Sequence, residues 1–261
     1  MTNAEIESLK KLCLLSPQEL HRQLVFALQD YGYGVNDLII TRQYIMAAGD
    51  LPVCLIAHLD TVGELLNNKQ EIVIYDDKQD ILHVLGGHTL DDRLGVWLII
   101  QMIEMGKKPS IIFTTGEELG GLAAADIVTS YPICPLEKVD FIIELDRKGF
   151  NDSVYYTCGN IEFQNYINSF GFETAEGSFT DCLVLGEAWD IAAVNLSISY
   201  YNEHTYYEYA HLKGALSTLD KVVKILDDWT GHYNLIPLDL KYYKENGRTF
   251  RYAKKCGKFN R

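Results

Sequence analysis

No stretch of the chain comes near the roughly 20 uninterrupted apolar residues that a membrane-spanning helix needs. The opening MTNAEIESLKKLCLL also lacks a basic start followed by an apolar block and a cleavage site. Neither a membrane span nor a secretory leader is expected, and the cytoplasm is the expected location. The six cysteines, at positions 13, 54, 134, 158, 182 and 256, form no CxxC pair. A structural zinc built from thiolates needs such close pairs, so that class is disfavoured. Reduced and mostly buried thiols are expected instead, as in the apolar run Pro52-Val53-Cys54-Leu55-Ile56. Repeats, low-complexity tracts and long Gly/Ser linkers are missing too. With 261 residues, 48% of them hydrophobic, the chain can bury one sizeable core and does not require two domains.

Basic residues are scarce through most of the length. Residues 241–261 hold eight of the 23 Lys and Arg but only one of the 36 acidic residues, Glu245. The first 240 residues therefore carry 15 basic and 35 acidic side chains, a net charge of −20. A body so acidic repels nucleic acid and suits cationic or metal-bound ligands, so no nucleic-acid partner is expected. The expected organisation is one folded domain over residues 1–235 and a basic tail, 236–261, that is solvated or docked on the acidic body.

Apolar positions at helical spacing predict a helix over 4–14, and Ser16-Pro17-Gln18-Glu19 predicts the capped start of a second. Short β-rich runs follow at 38–40 and 53–57, and those at 72–75 and 81–85, flanking Asp76-Asp77-Lys78-Gln79, predict a hairpin. From there strands and helices alternate: helix 93–105, strand 110–115, helix 118–129, strands 139–145 and 153–157, helix 160–169, strand 192–198 and helix 207–229. This order predicts an α/β fold with a mixed, mostly parallel central sheet covered by helices on both faces, the hairpin supplying antiparallel members.

Functional groups in such sheets gather at the carboxyl ends of strands. Strand 53–57 ends in His58-Leu59-Asp60, strand 110–115 in Gly116-Glu117-Glu118 and strand 139–145 in Asp146, while strand 192–198 leads on to His204. Asp91-Asp92 stands just before the helix that starts near Arg93. Two imidazoles and several carboxylates converging there make a ligand set suited to zinc or a similar divalent ion. Pairing His58 with Asp146 on one ion and Glu118 with His204 on another leaves Asp91 to bridge two ions in one site. A hydroxide shared by the ions would neutralise the charge that the three carboxylates leave over. Asp60, two residues from His58 in an extended strand, is placed to fix the second imidazole nitrogen through its side chain. Glu117, beside the ligand Glu118, stays uncoordinated and available as a general base.

The strings AHLDTVG, TLDDRLG, TTGEELGGLAAA, ELDRKG and SYYNEHTYYEY resemble, in the right order, the five metal-site motifs of the co-catalytic zinc exopeptidases. That clan includes leucyl aminopeptidase, tripeptide aminopeptidase and glutamate-releasing carboxypeptidases, and the likeness spans about residues 50–230. The resemblance implies a three-layer αβα sandwich, Asp91 rather than Asp92 as bridging ligand with a cis peptide after it, and Asp146 rather than Glu144 as the fourth ligand. It also implies a polar supporting position at Asp181. Many relatives carry a lid domain between the first His and the bridging Asp or between the fourth ligand and the last His. Here those intervals hold 32 and 57 residues, so a stand-alone catalytic domain without a lid is expected.

The plainer readings apply to His83, His88 and His211, taken as structural, and to the tyrosines at 200, 201, 206, 207 and 209, equally suited to packing and to a substrate pocket. Glu117-Glu118 at a helix start would complement the helix dipole, but that leaves the preceding Thr-Thr-Gly unexplained. The leading expectation is an aminopeptidase-like hydrolase acting on a small peptide or an acylated amino acid. A carboxypeptidase or deacylase comes next, with Arg93 and Arg147 the nearest groups to read a carboxylate. A mono-zinc cyclising transferase or an inactive binding homologue is the alternative class, and a homo-oligomer is compatible with all of these.

Overall fold

The computed structural model describes residues 1–62, 72–86 and 89–228. Two helices open the chain, α1 (Asn3–Cys13) and α2 (Pro17–Asp30). Each starts with a reciprocal cap: Thr2 with Glu5, and Ser16 with Glu19. The hydroxyl accepts a first-turn N–H, and the glutamate accepts the N–H of the cap residue. There follow β1 (Leu38–Ile40), β2 (Tyr44–Ala47), β3 (Leu51–His58), β4 (Ile72–Asp76), β5 (Ile81–Leu85) and helix α3 (Leu90–Glu104). Next are β6 (Pro109–Thr114), α4 (Leu122–Ser130), β7 (Phe141–Arg147), β8 (Asp152–Val154), α5 (Ile161–Ser169), β9 (Glu173–Thr174) and α6 (Asp181–Trp189). The last described elements are β10 (Ala192–Ser197), β11 (Tyr200–Tyr201), β12 (Tyr207–His211) and α7 (Leu212–Asp227).

An eight-stranded sheet runs in the order β1-β2-β6-β3-β7-β10-β8-β9. Its centre, β6-β3-β7-β10, is parallel throughout, with β2 antiparallel to β6 and β8 antiparallel to β10. Strand alternation sends Val53, Leu55 and Ala57 to one core, with Leu94 and Leu98 of α3 and Val222 of α7. Cys54 and Ile56 go to the other, with Ile127 of α4 and Leu185 of α6. Covered on both faces, β6 and β10 are buried along their whole length. The result is the expected three-layer αβα sandwich with a mixed, mostly parallel central sheet.

Three expectations need correction. The hairpin exists as β4 and β5, but it does not join the central sheet. It belongs to a second, antiparallel sheet ordered β11-β12-β5-β4, which buries Leu82, Val84 and Ala210 in the same core as α3. The helix expected over 207–229 is a strand in its first five residues, because β12 pairs with β5 from Tyr207 to His211. The helix expected from Glu118 begins at Leu122, after a turn in which Gly120 and Gly121 take φ of +89° and +72°. The strand β2 and the helix α6 were not expected. Among the described residues, no helix is long and apolar enough to cross a membrane. The basic tail, Cys256 and His88 lie outside the described residues.

Candidate metal centre

Because β6, β3, β7 and β10 run in one direction, their carboxyl ends share one edge of the sheet. His58 is the last residue of β3, Asp146 the penultimate residue of β7, and Glu117 and Glu118 follow β6. Asp91 stands in the first turn of α3, which presses closely on β7. A Cβ at Gly95 would lie 2.0 Å from the Leu145 carbonyl oxygen and 2.3 Å from Asp92 Oδ1, so only glycine permits the approach. His204 arrives from the second sheet, in the turn between β11 and β12. Left-handed backbone occurs just before β11 at Ser199 (φ 67°) and in that turn at Asn202 and His204 (φ 58° and 59°).

The two imidazoles meet across Asp91. Its Oδ1 is 3.0 Å from His58 Nε2, and its Oδ2 is 3.1 Å from His204 Nε2. His58 Nε2 is also 3.4 Å from Asp146 Oδ1, and His204 Nε2 is 2.9 Å from Glu118 Oε1. The five residues named from the sequence thus come together as two His/carboxylate pairs joined by one aspartate. Ligand atoms of His58, Asp91 and Glu118 lie within 4.8 Å of one another, as do those of His58, Asp92 and Asp146. Asp92 belongs to that second group by proximity, but its oxygens are engaged: Oδ2 accepts the N–H of His58 (3.2 Å) and Oδ1 that of Gly95 (3.0 Å). The Asp91–Asp92 peptide bond is cis, as the resemblance implies.

The protonation of this cluster shows what it is suited to hold. His58 is 1% exposed, its Nδ1 is 2.9 Å from the Asp60 carbonyl oxygen, and its Nε2 faces carboxylates. A neutral imidazole donates through one nitrogen only, so the second contact calls for a cation on Nε2, either a proton or a metal ion. Burial opposes a proton on His58, yet the charge of Asp146 and the surrounding hydrogen bonds raise its pKa well above the usual histidine range. Hydrogen bonds to Asp91 and Glu118 push His204 up to about 10. Burial works against the Asp91 carboxylate, but the bonds from His204 and His58 outweigh it and hold the group low. Asp146 is pushed well up, by burial and then by the like charge of Asp91. Burial also lifts Glu117 to about 8; His58 opposes the rise, and Asp181, Glu144 and Glu118 add to it.

Asp60 does something other than expected. Since β3 stops at His58, the alternation that would aim both side chains to one face no longer applies at Asp60. Its backbone carbonyl meets His58 Nδ1, while its carboxylate stands off at 3.5 Å. That carboxylate instead accepts the N–H groups of Glu117 (3.3 Å) and Glu118 (3.2 Å). With α4 starting only at Leu122, helix-dipole complementation does not account for the two glutamates.

Two further groups hold Asp146: Asn195 Oδ1 accepts its N–H at 3.1 Å, and Thr180 Oγ1 donates to its Oδ2 at 3.3 Å. Neither was named from the sequence, though an asparagine inside the buried strand Ala-Ala-Val-Asn-Leu-Ser was a usable signal. Tyr200 donates to the Asp146 carbonyl at 2.9 Å, whereas Tyr201 and Tyr209 stack on each other at 5.2 Å and His83 and His211 lie in ring contact with Tyr209. Asp181 is fully buried at the start of α6.

The cleft over the cluster is about 450 Å³, and its lining includes Glu117, Glu118, Tyr156, Glu176, Phe179 and Glu203. Of the two arginines considered as carboxylate readers, Arg93 is buried and donates to the carbonyls of Leu59 and Leu15. Arg147 lines the cleft but is paired with Asp152 at 3.1 Å, and its neighbour Lys148 is paired with Glu203.

No protein-family model and no curated protein matches the chain. Solved structures do. The TET aminopeptidase of a marine-sediment Thaumarchaeota archaeon aligns with a TM-score of 0.68 at 10% identity, over 87% of this chain and 98% of that one. Aminopeptidase PepT from Bacillus cereus gives 0.63 at 11% identity, over 85% and 97%. The Pyrococcus horikoshii TET1 peptidase, which can assemble into a tetrahedron or a large octahedral shell, gives 0.55 at 14% identity, over 85% and 98%. The chain therefore has the fold of these peptidases.

Proposed function

We propose that this chain is a metal-dependent exopeptidase that removes residues from the free amino end of short peptides, with residues 1–235 as one catalytic domain. The observation that carries the reading is the Asp91 carboxylate spanning His58 Nε2 and His204 Nε2 at 3.0 and 3.1 Å, with a further carboxylate against each imidazole. Neutral imidazole and carboxylate are the donors that zinc takes. His58 and Asp146 would hold one divalent ion, Glu118 and His204 a second, and Asp91 both. When bound, such ions would lower the pKa of a water and polarise the scissile carbonyl.

The rest of the chemistry falls to the chain's own groups. Glu117 lines the cleft next to the ligand Glu118, and a carboxyl lifted toward neutrality by burial is matched to proton transfer near neutral pH. It takes the proton of the attacking water and returns it to the departing nitrogen, which then leaves as a neutral amine. Asp60 accepts both neighbouring N–H groups and so fixes base and ligand relative to each other. The cleft's basic residues Arg147 and Lys148 are each paired with an acid, while Glu117, Glu118, Glu176 and Glu203 line it. An α-ammonium group suits that lining better than a terminal carboxylate does, which favours aminopeptidase over carboxypeptidase action. The described cysteines form no disulfide with one another, which suits a reducing cytoplasm. Homo-oligomers are compatible with a centre whose ligands all come from one chain.

The test is a panel of zinc-loaded protein against short peptides with free, acetylated and amidated ends, and against N-acylated amino acids. Cleavage that needs a free amino terminus and tolerates an amidated carboxyl end is expected. Cleavage confined to N-acylated or carboxyl-free substrates would replace this reading with a deacylase or carboxypeptidase.

A further inference from the structure

Glu208 is fully buried on β12, on the face that also presents Ala210 to the core formed with Leu82 and Val84. An apolar residue would complete that face at lower cost, because a buried carboxylate must find compensation. Its compensation comes from the metal centre. Oε2 accepts the N–H of Leu90 at 2.8 Å, and Oε1 accepts the N–H of Asp91 at 3.2 Å. These are the first N–H groups of α3, which lack partners inside the helix. The residue in cap position, Thr89, makes no side-chain cap bond, and its buried hydroxyl has no hydrogen-bond partner. A glutamate 118 positions beyond Leu90 does that work.

The helix end so held is the one that carries the aspartate lying between His58 and His204. Glu208 also follows His204 on the same β11–β12 hairpin, so one element of the second sheet delivers the last imidazole and grips the backbone of the shared carboxylate. We infer that Glu208 is a positioning residue for the metal centre: it locks the Leu90–Asp91 backbone so that both Asp91 oxygens face their imidazoles. The inference rests on the metal-centre reading above. It makes ion affinity depend on a side chain that is not a ligand.

Glu208→Gln tests it, since glutamine keeps the size but offers an acceptor to one N–H and turns its own NH₂ toward the other. Zinc affinity of the full chain would be measured by chelator competition, and coordination by the visible absorption of the cobalt-loaded protein. A loss of roughly 10–100-fold in affinity is expected, the size typical of groups that orient ligands. The cobalt spectrum should change as well, while the thermal midpoint of metal-free protein is retained. Unchanged affinity and an unchanged spectrum would overturn the inference. Hydrogen exchange on the wild-type chain needs no variant: the Leu90 and Asp91 amides should exchange slowly, and exchange at the rate of an open turn would equally overturn it. A wild-type chain that takes up no zinc would instead defeat the metal-centre reading itself.

Discussion

Replacing Asp181 with asparagine should stabilise the metal-free protein, by an amount that depends on pH in a calculable way. Asp181 is wholly buried, and neither carboxylate oxygen accepts a well-formed hydrogen bond. Burial first, and the charge of Glu144 second, push it from 3.8 up to about 7, with Thr114 offsetting only part of the cost. The folded chain therefore holds this proton more tightly than the unfolded chain. Its contribution is fully present below about pH 4 and is lost as pH rises through about 7. About three pKa units at about 1.4 kcal/mol each amount to a loss of about 4 kcal/mol. Asparagine has nearly the same shape and cannot ionise. In urea unfolding with chelator present, the advantage of Asp181→Asn over wild type should grow by about 1.4 kcal/mol per pH unit between about pH 4 and 7, then level off. A difference between the two proteins that is flat with pH would refute the reasoning.

The neighbouring glutamates should separate under mutation. Glu117→Gln should lower turnover by roughly 10²–10⁴-fold with bound metal retained, whereas Glu118→Gln should weaken one ion and recover partly with excess zinc; exchanged phenotypes in metal analysis would reverse the roles. His204 raised to about 10, and His58 raised well above the histidine range, both hold protons at pH 7 in the metal-free chain. Ligation requires neutral imidazole and ionised carboxylate, so zinc binding at that pH should release about two protons from the imidazoles, with any proton held by the raised Asp146 adding to them. Calorimetry in buffers of different ionisation enthalpy reads this directly, and no buffer dependence would contradict it. Deleting residues 236–261 should leave zinc binding unchanged, because no motif residue lies there; loss of bound metal on truncation would make the tail part of the folded body.

The ligand cluster was legible because parallel strands deliver their carboxyl ends to one edge, and His58, Glu118 and Asp146 each terminate or follow an apolar strand. His204 and Asp91 were legible through their motif strings. The supporting geometry was harder to read, for local reasons. Strand β12 reverses the usual alternation, with Tyr207 exposed and Glu208 buried, so its period of two gives no apolar stripe. Taken together with the strongly amphipathic α7 that follows, it passes for helix. Helix α6 buries Asp181, Cys182, Leu185, Gly186 and Trp189 and so has no polar face to reveal its period, and a glycine in its interior argues against a helix. The four residues of β2 are all buried and too few to show any period. Asp60 was placed by extending strand geometry one step past the point where the strand ends.

The central claim, a shared carboxylate holding two ions, is tested most directly by counting metal. Wild-type protein and Asp91→Ala would be saturated with zinc, freed of excess by gel filtration and analysed for zinc per chain. Two ions are expected on the wild-type chain, as a bridged two-metal site requires, and one or fewer on the variant that lacks the bridge. One ion or none on the wild-type chain, or two still bound without Asp91, would contradict the account.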